Sequence, residues 1–223
     1  MLRKQFSKNI QQVESQLNQI SEMVVTAIKK AMEALEHSDI KLAKKLIADD
    51  KKINRLQIAI EEHCITLLGT QQPVATELRE LTSVLSVVQE FERMADHAAA
   101  IAKLSIEIGD LSKEASSSIL PNIDKMCDKT VRMVRKSIEA FLTKDEKKAR
   151  IVWVSDKTID TFFDLVYSDT FSIMIEKPEL IKQSSKLLWI AHYIERIADR
   201  TTNICERTLF LVSGNLDTLD LIR

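Results

Sequence analysis

Residues 195–199 read Glu195-Arg196-Ile197-Ala198-Asp199, and residues 92–96 read Glu92-Arg93-Met94-Ala95-Asp96, 103 positions earlier in a chain of 223. Each copy lies in a long apolar stretch with helical spacing, and carboxylates at i and i+4 lie on the same face of a helix. A carboxylate that faced a helical core would need a compensating partner, either an arginine or a cation. The repeated acidic pair therefore predicts two equivalent helices and raises the question of what balances their charge.

The repeat extends along most of the chain. Residues 30–35 align with 136–141, and residues 50–54 align with 156–160, both at an offset of 106. The offset falls to 103 at the acidic motif because the loop between Gly69 and Pro73 is longer than its counterpart before Pro178. We therefore predict two tandem three-helix bundles, residues 1–112 and 113–223, that form an elongated all-α molecule.

Helix boundaries follow from the breaking residues. Only three Gly and three Pro occur in the chain, which is too few for a turn-rich β fold. The glycines (Gly69, Gly109 and Gly214) follow apolar periodic segments, and the prolines (Pro73, Pro121 and Pro178) precede them. The resulting predicted helices lie near 4–37, 39–68, 74–108, 117–143, 145–176 and 179–212.

Composition excludes several functional classes. The net charge is −1 and no dense Lys/Arg block is present, so no nucleic-acid binding is expected. No apolar run approaches 18 residues and the N-terminus lacks the apolar segment of a signal peptide, so neither a membrane span nor export is expected. Three cysteines without paired spacing are expected to be buried thiols in a reducing cytosol: Cys64, Cys127 and Cys205.

The sixth predicted helix carries an acidic seam, a row of oxygen-bearing side chains at steps of 4, 4 and 3: Glu195, Asp199, Asn203 and Glu206. The preceding helix turns back near Lys177-Pro178, which sets Asp160 opposite Glu195 and Asp156 opposite Asp199. Four carboxylates at one level of a bundle would repel each other strongly. The arrangement predicts a hard or borderline cation (iron, manganese, magnesium or zinc) unless the carboxylates are surface charges paired with basic side chains.

The first half contains a weaker copy of this seam. Glu92 and Asp96 are retained, and the same hairpin geometry places Asp50 and Asn54 opposite them. Ala100 and Lys103 replace Asn203 and Glu206, so we expect a lower affinity for cations. His192, three residues before Glu195, could bind a cation or form a hydrogen bond with one of its ligands.

Three segments resemble the PhoU family, the regulators that accompany high-affinity bacterial phosphate transporters. Residues 72–79, Gln-Pro-Val-Ala-Thr-Glu-Leu-Arg, resemble the family's turn into its third helix. Residues 92–96 and 195–206 resemble its paired Glu-Arg-Ile-Gly/Ala-Asp-x-x-x-Asn-Ile-x-Glu signature. Ala100 departs from the Asn of that signature, which leaves the occupancy of the first-half site open.

The resemblance implies two three-helix bundles and metal clusters held by the Glu-x-x-x-Asp motifs, with iron in some members, and we expect iron here. By position, the ligand role passes to seven residues: Glu92, Asp96, Glu195, Asp199, Asp50, Asp156 and Asp160. It also implies a cytoplasmic, non-catalytic negative regulator of phosphate uptake and starvation signalling. Such a regulator bridges the ATPase subunit of a phosphate ABC transporter and a sensor histidine kinase. We expect a homodimer, and peripheral association with the membrane is left open.

Two other functional classes remain open at this point. A carboxylate-bridged metal oxidase would carry Glu-x-x-His on its metal helices. The position three residues before each histidine instead holds Ala34, Ile60, Met94 or Trp189, which disfavours the oxidase. A metal-free interaction protein is the second alternative. A nucleotide-driven enzyme is disfavoured because no Gly-rich phosphate loop is present.

Overall fold

The computed structural model describes residues 2–215, with side chains described from residue 8 onward. The first half consists of α1 (Leu2–Glu36), α2 (Ile40–Gln71) and α3 (Ala75–Ile108). A π-helical turn (Ala115–Ile119) leads into α4 (Leu120–Thr143), which is followed by α5 (Glu146–Ser155) and α6 (Lys157–Glu176). A 3₁₀ turn (Pro178–Leu180) precedes α7 (Ile181–Ser213). These described residues contain no strand, so the predicted all-α class is confirmed.

Several helix ends match their sequence signals. The Asp39 carboxylate accepts a hydrogen bond from the Leu42 N–H at the start of α2, and its repeat equivalent Asp145 accepts one from the Lys148 N–H at the start of α5. Gly109 and Gly214 follow α3 and α7 with φ of +65° and +76°. Such positive φ values favour glycine because it has no Cβ.

Two boundaries differ from the sequence prediction. Gly69 lies inside α2, which continues to Gln71 and ends with Gln72 at φ +46°. The predicted helix 145–176 is interrupted at Asp156, whose N–H donates to the Trp153 carbonyl at 3.3 Å, three residues back. This tighter turn divides one predicted helix into α5 and α6.

The two halves meet along α3 and α7, which run antiparallel. Arg200 of α7 contacts Glu90 of α3 at 3.5 Å, and Tyr193 of α7 stacks on His97 of α3 with ring centroids 5.6 Å apart. The offset of 103 carries Glu90 to Tyr193 and His97 to Arg200, so these two contacts occupy equivalent positions about an internal twofold axis. The α1 and α4 helices also contact each other, through Glu22 and Arg135 at 2.9 Å.

Apolar side chains from both halves form one connected core. The fully buried Phe91 lies on α3, next to the acidic motif, and the core continues through Ile190 and Ile194 of α7. The boundary between residues 112 and 113 stays a prediction. Among the described helices, none combines the length and the apolar character that a membrane span needs.

Candidate functional site

The acidic motifs lie on the outer face of the helices that join the two halves. Within each motif the middle residues are buried: Met94 and Ala95 in the first half, and Ile197 and Ala198 in the second. The carboxylates point the other way, and the Asp199 side chain is 40% exposed. The motif therefore contributes its apolar side to the core and its acidic side to the surface, rather than placing carboxylates in the core.

The second half brings most of the predicted residues to one polar cavity of about 450 Å³ between α5, α6 and α7. We use the term second seam for six residues that the sequence predicted to lie together: Asp156, Asp160, Glu195, Asp199, Asn203 and Glu206. All except Glu195 line this cavity. The cavity wall is completed by Trp153, Lys157, Arg196, Arg200 and Thr202.

The carboxylates of the second seam act on each other electrostatically. Burial, and after it the charges of Asp199, Asp160 and Glu195 in that order, together raise the pKa of Asp156 to about 6. Burial also raises the pKa of Asp199, while Arg196 and Arg200 oppose the increase. The turn between α6 and α7 thus brings the two predicted acidic rows close enough to repel.

Protein groups already compensate part of this charge. Arg196 donates to the Asp199 carboxylate at 3.0 Å, and His192 lies 2.9 Å from the Glu195 carboxylate. The sequence motif itself therefore supplies a basic partner three residues from each acid. His192 contacts one of the predicted ligands, which agrees with the hydrogen-bonding alternative from the sequence.

The first seam, defined as Asp50, Asn54, Glu92 and Asp96, lies between α2 and α3. Burial raises the pKa of Asp50 and of Glu92, and Asp96 contributes to both increases. Lys103 opposes the increase at Asp50, so the ammonium expected in this half does act on the seam. One side-chain oxygen of Asp50 and one of Asn54 are buried without a hydrogen-bond partner.

These observations bear on whether a metal ion fits. Carboxylate and amide oxygens suit a hard cation, and the unpartnered oxygens of Asp50 and Asn54 are acceptors that a cation would satisfy. Among residues 8–215, however, no group of three or more His, Cys, Asp or Glu side chains is arranged to hold a metal ion as the side chains stand. The donor chemistry fits, and Arg196 already occupies one oxygen of the Asp199 carboxylate. The ligand assignments in both halves stay predictions.

Sequence reasoning missed the basic side of this site. Arg196 and Arg200 are one helical turn apart and both line the cavity, but the sequence prediction, which allowed for an arginine partner, assigned neither to a particular carboxylate. Arg200 also reaches Glu90 across the α3–α7 contact. The spacing of four between the two arginines was the signal that could have identified them.

Comparisons with known proteins agree with this architecture. Residues 17–105 and 123–208 each match the PhoU domain. A phosphate-specific transport system accessory protein PhoU homolog from Clostridium acetobutylicum is 34% identical over 215 residues, covering 96% of this chain and 97% of the relative. The PhoU accessory protein of Escherichia coli is 28% identical over 94% of this chain and 86% of its own length. The crystal structure of PhoU from Pseudomonas aeruginosa superimposes with a TM-score of 0.86 at 28% identity, over 94% of this chain and all of the other.

Proposed function

Because the chain belongs to the PhoU family, we propose that it is an accessory protein of a phosphate-specific transport system and regulates phosphate homeostasis. The relatives from Clostridium acetobutylicum and Escherichia coli carry that description, and the match extends over nearly the whole of this chain. The role is regulatory rather than enzymatic, and the protein acts by contacting other proteins.

In finer detail, the protein is a cytoplasmic adaptor and negative regulator. It contacts the ATPase subunit of the transporter and a sensor histidine kinase, and it acts as a homodimer. The packing of α3 against α7 supports this role because these two long helices carry the acidic motifs of both halves. Surfaces of this kind recognise partners through side chains at successive helical turns.

A cation at the second seam is the second element of the proposal. The observation that carries it is the convergence of Asp156, Asp160 and Asp199 on one cavity, with Glu195 close enough to act on Asp156. These four carboxylates would hold the cation, and Asn203 and Glu206 would complete the oxygen donors. Iron is favoured over manganese, zinc or magnesium by family resemblance alone. A bound cation would neutralise the repulsion between α6 and α7.

The first seam is expected to bind more weakly. Asp50, Glu92 and Asp96 supply its carboxylates, and Asn54 adds an amide oxygen. Lys103 brings a positive charge to the position that Glu206 occupies in the second half. A second cation would therefore bind only at higher concentration.

Metal analysis tests the cation site directly. Protein stripped with chelator is dialysed against ferrous iron (without oxygen), manganese or zinc and assayed by elemental analysis. We expect at least one equivalent in the wild type and a loss of that equivalent in Asp156→Ala/Asp199→Ala. Asp110→Ala, which removes an exposed carboxylate outside both seams, serves as the matched control. Equal metal content in the wild type and the double variant would refute the site and favour the metal-free interaction protein.

Regulation is tested separately from metal. A bacterial strain that lacks its own gene for a PhoU-family protein is complemented with this chain. Its phosphate uptake in phosphate-rich medium is then compared with that of the uncomplemented strain. We expect uptake to fall to the repressed level. Unchanged uptake, with the protein present at normal abundance, would contradict the regulatory role whatever the metal content.

A further inference from the structure

An unusual apolar row lies on the outer face of α6. Tyr167, Phe171 and Ile175 are spaced four residues apart, which places them on one side of the helix. Their exposed fractions are 48%, 43% and 78%, and the rings of Tyr167 and Phe171 are 4.5 Å apart. The two rings thus contact each other, and all three side chains leave much of their surface in solvent.

Two further exposed apolar side chains lie on the adjacent helix α7. Ile181 is 47% exposed and Trp189 is 56% exposed. The Trp189 ring contacts His192 at 5.5 Å between centroids, and Phe163 of α6 contacts the same histidine at 6.3 Å. His192 thus connects the two helices on this side. We call the five exposed residues the aromatic face: Tyr167, Phe171, Ile175, Ile181 and Trp189.

The exposed area is large for a surface without a function. Aromatic side chains present about 150–250 Å² each, so three that are roughly half exposed leave about 300 Å² of ring surface in water. The two isoleucines add to this. Exposed apolar patches of about 300–600 Å² are often functional in monomeric proteins.

The internal repeat shows that the fold does not require this face. The helix bearing it is matched by α2 at an offset of 106, and α7 is matched by α3 at 103. The corresponding first-half residues, in the order of the definition, are Glu61, Ile65, Gly69, Leu78 and Ser86. Three of the five apolar side chains have no apolar counterpart, although both halves match the same domain. The aromatic face is therefore specific to the second half.

The charges around the aromatic face are mainly negative. Asp164, Glu176 and Glu179 are exposed and form no ion pair within 4 Å with any described residue. The nearby Lys177 is paired with Glu114, and Lys186 with Glu107, which leaves Lys182 as the unpaired cation at this end of the described α6–α7 hairpin. A partner that covered the face would gain by bringing positive charges.

We propose that the aromatic face binds a cationic amphipathic helix of a partner protein. Apolar side chains of that helix pack along Tyr167, Phe171 and Trp189, and its Lys or Arg residues lie beside Asp164 and Glu176. The inference rests on the proposed function for the existence of a protein partner, and it defines that partner's chemistry. A second copy would bring the same acids against each other across a twofold axis. An anionic membrane surface would repel them.

The test uses a fluorescein-labelled 18-residue helix of Leu and Lys with Leu on one face. Fluorescence anisotropy is compared with two control peptides, one with Glu in place of Lys and one with the same residues scrambled. We expect the cationic amphipathic helix alone to bind measurably. Tyr167→Glu/Trp189→Ser, which borrows the first-half residues, should weaken binding at least tenfold, although the added negative charge alone would strengthen it.

Matched variants separate the apolar and charged contributions. Ile65→Glu alters the first-half equivalent of Phe171, which is also exposed, and should leave the affinity within twofold. Asp164→Asn/Glu176→Gln should weaken binding about threefold at low salt and little at 0.5 M salt, because salt screens exposed charges. Circular dichroism verifies that each variant retains the helical content of the wild type.

Several results would overturn the proposal. The first is wild-type affinity of Tyr167→Glu/Trp189→Ser for the cationic helix, and the second is equal binding of the scrambled or anionic peptide by the wild type. The third is a shift of the same double variant from dimer to monomer in light scattering, and the fourth is Trp189-dependent binding to phosphatidylglycerol vesicles. The last two would assign the face to a second copy or to a membrane. In the complemented strain, normal repression by the same double variant would refute this inference while leaving the proposed function intact.

Discussion

Replacing Asp156 with asparagine should stabilise the metal-free protein at neutral pH. Asp156 lies at the break between α5 and α6 and makes no side-chain cap of α6, so the amide removes charge without removing a cap. Burial and the neighbouring charges of Asp199, Asp160 and Glu195 raise its pKa to about 6 from the ordinary 3.8. The ionised form is therefore disfavoured in the folded state.

The magnitude follows from that pKa. Each pKa unit corresponds to about 1.4 kcal/mol, so the ionised carboxylate costs the folded state up to about 3 kcal/mol. Asp156 is partly open to solvent, which screens the repulsion, and we expect about 1 kcal/mol from the substitution. Above pH 6 the group is ionised in both folded and unfolded states, and the full cost is present. As the pH falls from 6 to 4 the folded state takes up a proton before the unfolded state does, so the cost disappears.

Urea unfolding followed by circular dichroism, on chelator-treated protein at pH 7.5, 6, 5 and 4, measures this effect. The difference in unfolding free energy between Asp156→Asn and wild type should shrink from about 1 kcal/mol at pH 7.5 to near zero at pH 4. Asp110→Asn is the control and should remain within about 0.3 kcal/mol of wild type throughout. A destabilised Asp156→Asn at pH 7.5, or a difference independent of pH, would refute the reasoning that the four carboxylates repel.

Phe91→Ala removes a fully buried ring from α3 and should lower the free energy of unfolding, measured in urea, by about 3–5 kcal/mol. Phe171→Ala, on the surface, should change the same free energy by less than about 0.5 kcal/mol. Gly69→Ala, inside α2 with open space around its Cα, should raise the melting temperature, whereas Gly109→Ala should lower it because φ at Gly109 is +65°. Equal shifts of the two melting temperatures in calorimetry would contradict the placement of Gly69 within a helix and of Gly109 at a helix end. Cys64, Cys127 and Cys205 should react with a thiol reagent such as DTNB only after unfolding, because burial raises the pKa of each thiol to about 12. Rapid labelling of the native protein would show that the described packing is wrong.

Much of the helical architecture could be predicted because its signals are local. Asp39 and Asp145 occupy equivalent cap positions, and Gly109 and Gly214 end helices where a positive φ is needed. Gly69 gave the wrong end for α2 because a glycine also fits within a helix when the neighbouring residues pack. Gln72 took the left-handed conformation instead, which sequence preference alone does not indicate.

The candidate site was predictable in its members but not in its balance of charge. Periodicity and the α6–α7 hairpin placed Asp156 near Asp199, and the structure brings both to one cavity. The pairing of Asp199 with Arg196, and the reach of Arg200 to Glu90, depend on side-chain conformations and on the antiparallel contact between α3 and α7. The first pair is three residues apart on α7, so its spacing is in the sequence, whereas the second forms only because two helices meet.

The sequence by itself determined the all-α class, the repeated bundle and the identity of the acidic rows. These properties depend on helical period and on residues near each other in the chain, which the sequence states directly. Tertiary structure alone decided that the motifs turn their apolar side to the core and their acids to the surface, that α5 and α6 separate at Asp156, and that the exposed aromatic face, among the side chains of residues 8–215, lies in the second half. These features depend on which helices meet and at what rotation, and that is set by packing of the whole core rather than by any single segment.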